Sequence, residues 1–281
     1  KKIMNKWQKF IKWLDTPKQN VKDTHARTSA GTLLYTHSFG GEKNMGELGP
    51  VRSYALDYDM LRARSWQSLL ESEITQTVLG KYILWVVGEG LKMQANPNKM
   101  ILKSEKIALN TEEFNEVAEA RYSVWSNSTG SDYTGMENLN IISSTAFKNA
   151  IVGGDVLVVL RYEDNEVKVQ LIDGAHVCSP MYGNDWYAYV LANGNEIRNG
   201  IELNAKGEHV AYYVKQENLV FERIEAKGSK TGLTMAYLLY GLKYRIDNTR
   251  GLPLIATILE TLKKLERYKE AVVGSAEERQ K

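Results

Sequence analysis

Cys178 follows His176 by two residues in His176-Val-Cys178-Ser-Pro180, so a thiol and an imidazole stand close enough to suggest a nucleophile and its base. Such a dyad needs side chains that meet in space, and two residues apart on a strand share a face whatever their role. The plainer reading is a half-buried strand end. Gly228-Ser-Lys-Thr-Gly232 has the composition of a phosphate loop without its order, Gly-x-x-x-x-Gly-Lys-Ser/Thr, and no apolar strand leads into it. Gly88-Glu-Gly90 lacks the third glycine of a dinucleotide fingerprint and stands where a helix should end. The four histidines, His25, His37, His176 and His209, are scattered without a His-Glu-x-x-His or paired His/Cys spacing. The acid pairs Asp57/Asp59 and Glu71/Glu73 are two apart on helical segments, where side chains diverge. These groups assemble no active site, and the chain reads as a non-enzymatic protein with neither metal nor cofactor.

The charged residues that do form a pattern lie at the C-terminal end. Asp247-Asn-Thr-Arg250-Gly251-Leu-Pro253 leads into an amphipathic stretch that reaches Lys281. Asp247 and Asn248 can cap, Pro253 suits a first helical turn, and Gly251 lets the backbone turn sharply. Leu254, Ile255, Ile258, Leu259, Leu262, Leu265, Tyr268 and Val272 recur at helical spacing, with Lys263, Lys264, Arg267 and Lys269 among glutamates on the other side. The spacing predicts a helix of about 28 residues, on the order of 40 Å long. Its tail shows no cap, which suggests part of something larger.

The elements before it change period once. Ile3, Trp7, Phe10, Ile11 and Leu14 mark a short basic amphipathic helix, and residues 16–50 a polar connector. Residues 1–30 hold eight Lys/Arg against Asp15 and Asp23, so the local charge is +6 within a chain of net +2. From Ser53 the pattern is helical: Leu56, Met60, Leu61, Trp66, Leu69 and Leu70 mark one helix, and Ile74, Val78, Tyr82, Leu84, Trp85 and Val87 a second, more buried one. A turn is expected over 96–105, a helix from an N-cap at Thr111 to about Ser126, a polar loop to Asn138, and a helix over 139–152. At Gly153-Gly154-Asp155 the pattern turns to strands: Val156–Leu160 and Val167–Ile172 as a hairpin, then Tyr187–Leu191, Val210–Val214 and Leu219–Ile224. Asn193-Gly194, Asn199-Gly200 and Lys206-Gly207 supply turns.

The fold class is therefore α+β: N-terminal helices, an antiparallel β unit and a long C-terminal helix. The expected divisions are residues 1–50 as a basic helix and arm, 51–245 as an α+β body (helices 53–152, β unit 153–225), and 246–281 as the long helix. A single cysteine excludes an internal disulfide and fits a reducing compartment, and the apolar run Tyr82–Val87 is too short to span a bilayer. An intracellular, soluble chain is expected.

Five stretches, in order, carry a resemblance: Asp59-Met-Leu-Arg-Ala-Arg64 with the helix closing Val86-Val-Gly-Glu-Gly-Leu-Lys-Met-Gln94; Ala146–Val159 through Gly153-Gly154-Asp155; Val169–Pro180; Gly200–Val214; and Tyr244–Pro253 with its Arg250-Gly251-x-Pro253. Together they resemble the N-terminal half of lambda-type bacteriophage portal proteins, although Asp173 and Gly174 replace the commoner residues of the third stretch. The resemblance implies a structural ring, twelve subunits when complete, at one vertex of the capsid. Double-stranded DNA would be packaged and ejected through it without being read. The implied partners are further copies of the chain, the major capsid and scaffold proteins, the terminase large subunit and head-completion or adaptor proteins. The body would be the wing, and Arg250, Gly251 and Pro253 the motif that starts a stem helix, here truncated before the clip and crown. The virion, and the host cytoplasm during assembly, is the implied location. Lys263, Lys264, Arg267, Lys269 and Arg279 become candidates to face DNA in the channel, with a solvated or salt-bridged face between subunits as the alternative. A non-viral nucleic-acid-binding or scaffold protein acting through the basic N-terminal arm is the rival reading.

Overall fold

A computed structural model describes residues 58–163, 165–180, 189–191, 193–218, 220–246 and 248–279, together with Thr36–His37 and Lys43–Asn44. The expected basic helix over 3–14 and most of the connector over 16–50 lie outside the described residues. Residues 1–57 form a unit of their own, in which β1 (Thr36–His37) pairs antiparallel with β2 (Lys43–Asn44).

Residues 58–281 form the second unit. Its core grows outward from one strand. The helix α5 (Leu139–Gly153) runs into β3 (Asp155–Glu163), which pairs with β4 (Glu166–Asp173) on one side and β10 (Ala236–Tyr240) on the other. The continuous apolar run Val156–Leu160 makes β3 a strand buried on both faces rather than one. Val156 and Val158 face the helical side, packing with Ile142, Ala146 and Ala150 of α5. Leu157 and Val159 face the other way, into a cluster completed by Ile201, Tyr212, Val214 and Ile224. Those residues belong to a second antiparallel sheet in the order β5 (Tyr189–Val190), β6 (Glu196–Arg198), β7 (Ile201–Leu203), β8 (His209–Lys215), β9 (Phe221–Glu225). Helices, three-stranded sheet and five-stranded sheet are thus stacked as layers, the α+β class expected.

Several elements stand where the pattern places them. The turn between β3 and β4 sets Glu163 opposite Glu166, and Asn165 takes a positive φ of 66°. Asn199 and Gly200, at φ 48° and 81°, form the primed turn joining β6 to β7. α1 (Tyr58–Glu71) and α2 (Glu73–Val86) divide at Ser72, whose hydroxyl accepts the Thr75 N–H.

Four expectations need correction. The turn over 96–105 contains a short helix, α3 (Lys99–Ser104), because Asn98 accepts from the amides of Met100 and Ile101 and starts it. In α4 (Thr111–Asn127) the N-cap position is Asn110, with Thr111 already helical. The strands β6, β7 and β10 are additions to the expected set; the first two are three residues each, too short for alternation to register. The largest difference concerns α2, expected to be the more buried of its pair. Only Thr75 and Leu79 of that helix are buried, and Trp85 is 75% exposed. Periodicity reports that a helix has an apolar face; it does not report whether the same chain covers it.

Leu157 is fully buried against both neighbouring strands and the second sheet. Leu157→Ala is expected to lower unfolding free energy by about 2–5 kcal/mol, measured by urea denaturation, through reduced burial and the cavity left behind.

Candidate functional site

The expected motif Arg250-Gly251-x-Pro253 does not start a helix. The long helix, α6, spans Leu259–Arg279, 21 residues rather than the expected 28, and a 3₁₀ turn over Ile255–Thr257 precedes it. Leu252, Pro253, Ile255 and Ala256 are buried in the body instead. Their apolar side chains fit the helical pattern equally well, but the Leu252 amide donates to Leu242 O and the Leu254 amide to Ile151 O, so the backbone is committed elsewhere.

What holds this segment is a buried carboxylate. Asp155, at the start of β3, has no solvent exposure. Its Oδ2 accepts from Arg250 Nε at 2.7 Å and from the Gly251 amide at 2.9 Å; its Oδ1 accepts from Arg250 Nη2 at 2.7 Å and from Arg62 Nη2 at 2.8 Å. All four acceptor positions are filled. Arg250, itself 2% exposed, forks onto Asp155, donates Nη2 also to Gly174 O, and donates Nη1 to Val177 O and, at 3.0 Å, to Asn199 O. Its five N–H donors are thereby used, which lysine's compact ammonium could not do. Arg62 of α1 adds a bond from Nε to Gly153 O at 2.8 Å.

Backbone must come very close for this to work. A Cβ on Gly174 would stand 1.9 Å from Asp155 Oδ1, and one on Gly251 2.0 Å from Gly154 O. Glycine at 251 is therefore a matter of close approach to Gly154, which itself caps α5 at φ 94°, more than of freedom to turn. Burial alone would raise the pKa of Asp155, but the charge and hydrogen bonds of Arg250, with Arg62 and the Gly251 amide, outweigh it and hold the carboxyl below its ordinary value. A second acid, Glu202 on β7, follows the same logic. Burial pushes it up, while Arg223 Nε at 2.8 Å, Asn195 Nδ2 at 2.6 Å and the Tyr213 hydroxyl at 3.2 Å bring it lower overall.

The five channel candidates sit differently. Of the described side chains of α6, only Leu262 is buried. At 100° per residue, Lys264 and Arg267 lie on the side away from Leu262, whereas Lys269 lies on its side, its Nζ 3.7 Å from Glu73 of α2. Arg279 is exposed near the helix end, and the side chain of Lys263 lies outside the described residues. The cations do not share one face. Among the residues with potential chemistry, His176 is exposed on a 3₁₀ turn and Cys178 half-buried, its amide donating to Tyr213 O at 3.2 Å. Gly228–Gly232 forms a hairpin tip, with the Gly228 amide donating to Leu233 O.

Arg62, Asp155 and Gly174 match no catalytic spacing because what they do is join segments. Yet each stands inside one of the stretches that carry the resemblance. Four of the five stretches supply a group to the cluster around Asp155, and the remaining one begins at Gly200, next to Asn199. The geometry is that of a structural body from which an amphipathic helix departs, and the chain belongs to the lambda family of phage portal proteins, whose description matches residues 43–279. No curated protein matches it.

Asp155→Asn leaves two buried guanidinium groups without their counter-charge and should cost about 3–5 kcal/mol by denaturant unfolding. The pH dependence has a definite sign. A depressed folded pKa gives stability that is complete above the ordinary carboxyl range and lost as pH falls through the lowered value, so unfolding free energy should drop below about pH 4. In Asp155→Asn that acid-induced loss should be smaller than in the unmodified protein.

Proposed function

We infer that this chain is the wing and the first part of the stem of a portal ring, set at one capsid vertex, through which double-stranded DNA enters and leaves. Membership of the portal family carries the reading. The division of the structure supports it: residues from Tyr58 to the 3₁₀ turn at Ile255–Thr257 make the body, and α6 leaves it just after a segment pinned by Asp155 and Arg250. The ring consists of copies of this chain, twelve when complete, with capsid and scaffold proteins around it and the terminase large subunit and adaptor proteins docking on it. It assembles in the host cytoplasm and ends in the virion.

A conduit has to pass DNA without gripping it. Each phosphate neutralised adds to salt-sensitive affinity, and such contacts carry no sequence information. On α6, Lys264 and Arg267 alternate with Glu266 and Glu270, which keeps the net attraction low. These two cations are the strongest channel-facing candidates, since Lys269 is turned toward Glu73.

Antibody labelling of assembled capsids should mark a single vertex on each particle; label spread over the shell, or absent from particles, overturns the reading. In isolated rings, replacing both Lys264 and Arg267 by glutamine should leave the ring intact. It should also reduce the slope of log affinity for duplex DNA against log salt by about 0.9 for every phosphate that is no longer neutralised.

A further inference from the structure

His209 opens β8 at the point where the ladder to β7 slips. Glu202 lies opposite Ala211 but Leu203 lies opposite His209, so Val210 is an extra residue, a β-bulge. Three positions from Tyr212, His209 would otherwise take the opposite face of the strand; the bulge turns it to the same one. Its Nδ1 lies 2.9 Å from the Tyr212 hydroxyl, and the two rings meet edge to face with 5.7 Å between centroids. Tyr212 is 2% exposed and belongs to the core between the two sheets.

That hydroxyl has a second partner, on the other sheet. The Leu160 amide donates to Met235 O and the Gly241 amide to Gly154 O, which fixes the β3–β10 ladder and turns the Leu238 amide away from β3. It donates instead to the Tyr212 oxygen. The Tyr212 hydroxyl then has one described acceptor for its own proton, the Nδ1 of a neutral His209. Nearby, the Tyr240 hydroxyl donates to Thr249 O at 3.2 Å, one residue before Arg250, and Lys243 Nζ lies 5.2 Å from the Tyr240 ring centre. The titratable and charged groups around the imidazole are thus Tyr212 of its own strand, with Tyr240 and Lys243 from β10 and the segment after it. The adjacent Glu208 is bonded to Asn204 Nδ2 at 2.8 Å and stands by Lys227 and Lys206. Burial pushes both phenols up, Tyr240 to about 12, so they keep their protons. Burial and the Lys243 ammonium push the imidazole below its ordinary value.

We propose that His209, Tyr212 and the Leu238 amide form a proton-sensitive latch between the two sheets, closed while the imidazole is neutral and opened when it takes up a proton. On protonation Nδ1 becomes a donor. The Tyr212 hydroxyl must then turn its proton away from the ring, where no described acceptor waits for it, and a new cation stands half-buried beside Lys243. Both changes penalise the closed arrangement. The sign follows: the latch contributes fully above the ordinary histidine pKa of about 6.5, and that contribution is lost as pH falls through the lowered folded value. What opens is the outer edge of β10, two residues from the Tyr240 bond to the segment that leads to α6. The latch does not depend on the ring reading above.

Hydrogen exchange read by mass spectrometry tests this on the full chain. Exchange at the imidazole C2 position of His209 should titrate with a midpoint below about 6.5. Overlapping peptides that isolate the Leu238 amide should show, after correction for intrinsic rates, less protection at about pH 5 than at about pH 8, the range in which histidine changes charge. The Val156 and Val158 amides, which face β10 within the ladder, should keep theirs. His209→Asn places an oxygen acceptor near the Nδ1 position without a titrating ring, and should abolish the pH difference at Leu238. Tyr212→Phe should expose Leu238 at both pH values and raise the His209 midpoint. A His209 midpoint at or above the ordinary value overturns the proposal, as does equal Leu238 protection at both pH values. An equal loss at Val156 and Val158 overturns it too, since that is general unfolding, and so does a pH difference that persists in His209→Asn. The midpoint and the Leu238 comparison are read on the unmodified protein, so they decide the matter even where a variant fails to fold.

Discussion

A carboxylate taken out of water must be paired, and at Asp155 the pairing determines much else. An ionised group with no exposure costs several kcal/mol unless its attractions repay it. Here repayment comes from two guanidinium groups and a backbone amide reached from 93 and more residues away in sequence. Because Arg250 then spends its remaining donors on the Gly174, Val177 and Asn199 carbonyls, and Arg62 reaches Gly153 O, the end of β4, the β6–β7 turn, the end of α5 and the approach to α6 are fixed to one point. The glycines at 154, 174 and 251 follow from that: with so many segments converging on one side chain, there is no room for a Cβ between them.

How much of this is legible in the sequence depends on distance along the chain. The β3–β4 hairpin, α5 and the Asn199-Gly200 turn are local, set by alternation, helical spacing and residues that tolerate positive φ, and they lie where the sequence places them. The start of α6 falls several residues later than the pattern suggests, because Leu254 and Ile255 satisfy a helical pattern while serving the body. Only the hydrogen bonds to Leu242 and Ile151 reveal which use this segment has. The ion-pair hub is visible only indirectly. Arg62, Asp155, Gly174 and Arg250 lie within the stretches that resemble the portal family, but no spacing rule connects an arginine on α1 with an aspartate 93 residues later. Their convergence explains why those stretches, separated in sequence, belong to a single pattern.

The exposure of α2 against expectation has a different physical origin. Apolar periodicity is a demand for cover, and the two-sheet core answers that demand for β3, whose residues are buried on both faces. The apolar faces of α2 and α4 make the same demand without an answer from the described residues of this chain. The sheets and α5 consume their apolar surface in folding, whereas the described residues leave that of the outer helices exposed.

The same division bears on α6. Leu252, Pro253, Ile255 and Ala256 are buried, and Arg250 is held through the five hydrogen bonds it donates, so the backbone up to the 3₁₀ turn belongs mechanically to the body. From Leu259 onward the described attachments are Leu262 and the long Lys269–Glu73 pair at 3.7 Å. An exposed pair at that distance contributes little. Any reorientation of the helix relative to the body is therefore taken up between the 3₁₀ turn and Leu262, at Ile258 and its neighbours, where neither the ion-pair hub nor the sheet core has to be disturbed. A helix attached in this way can adjust its tilt while the body keeps its shape, and the cost of that adjustment is confined to the turn around Ile258.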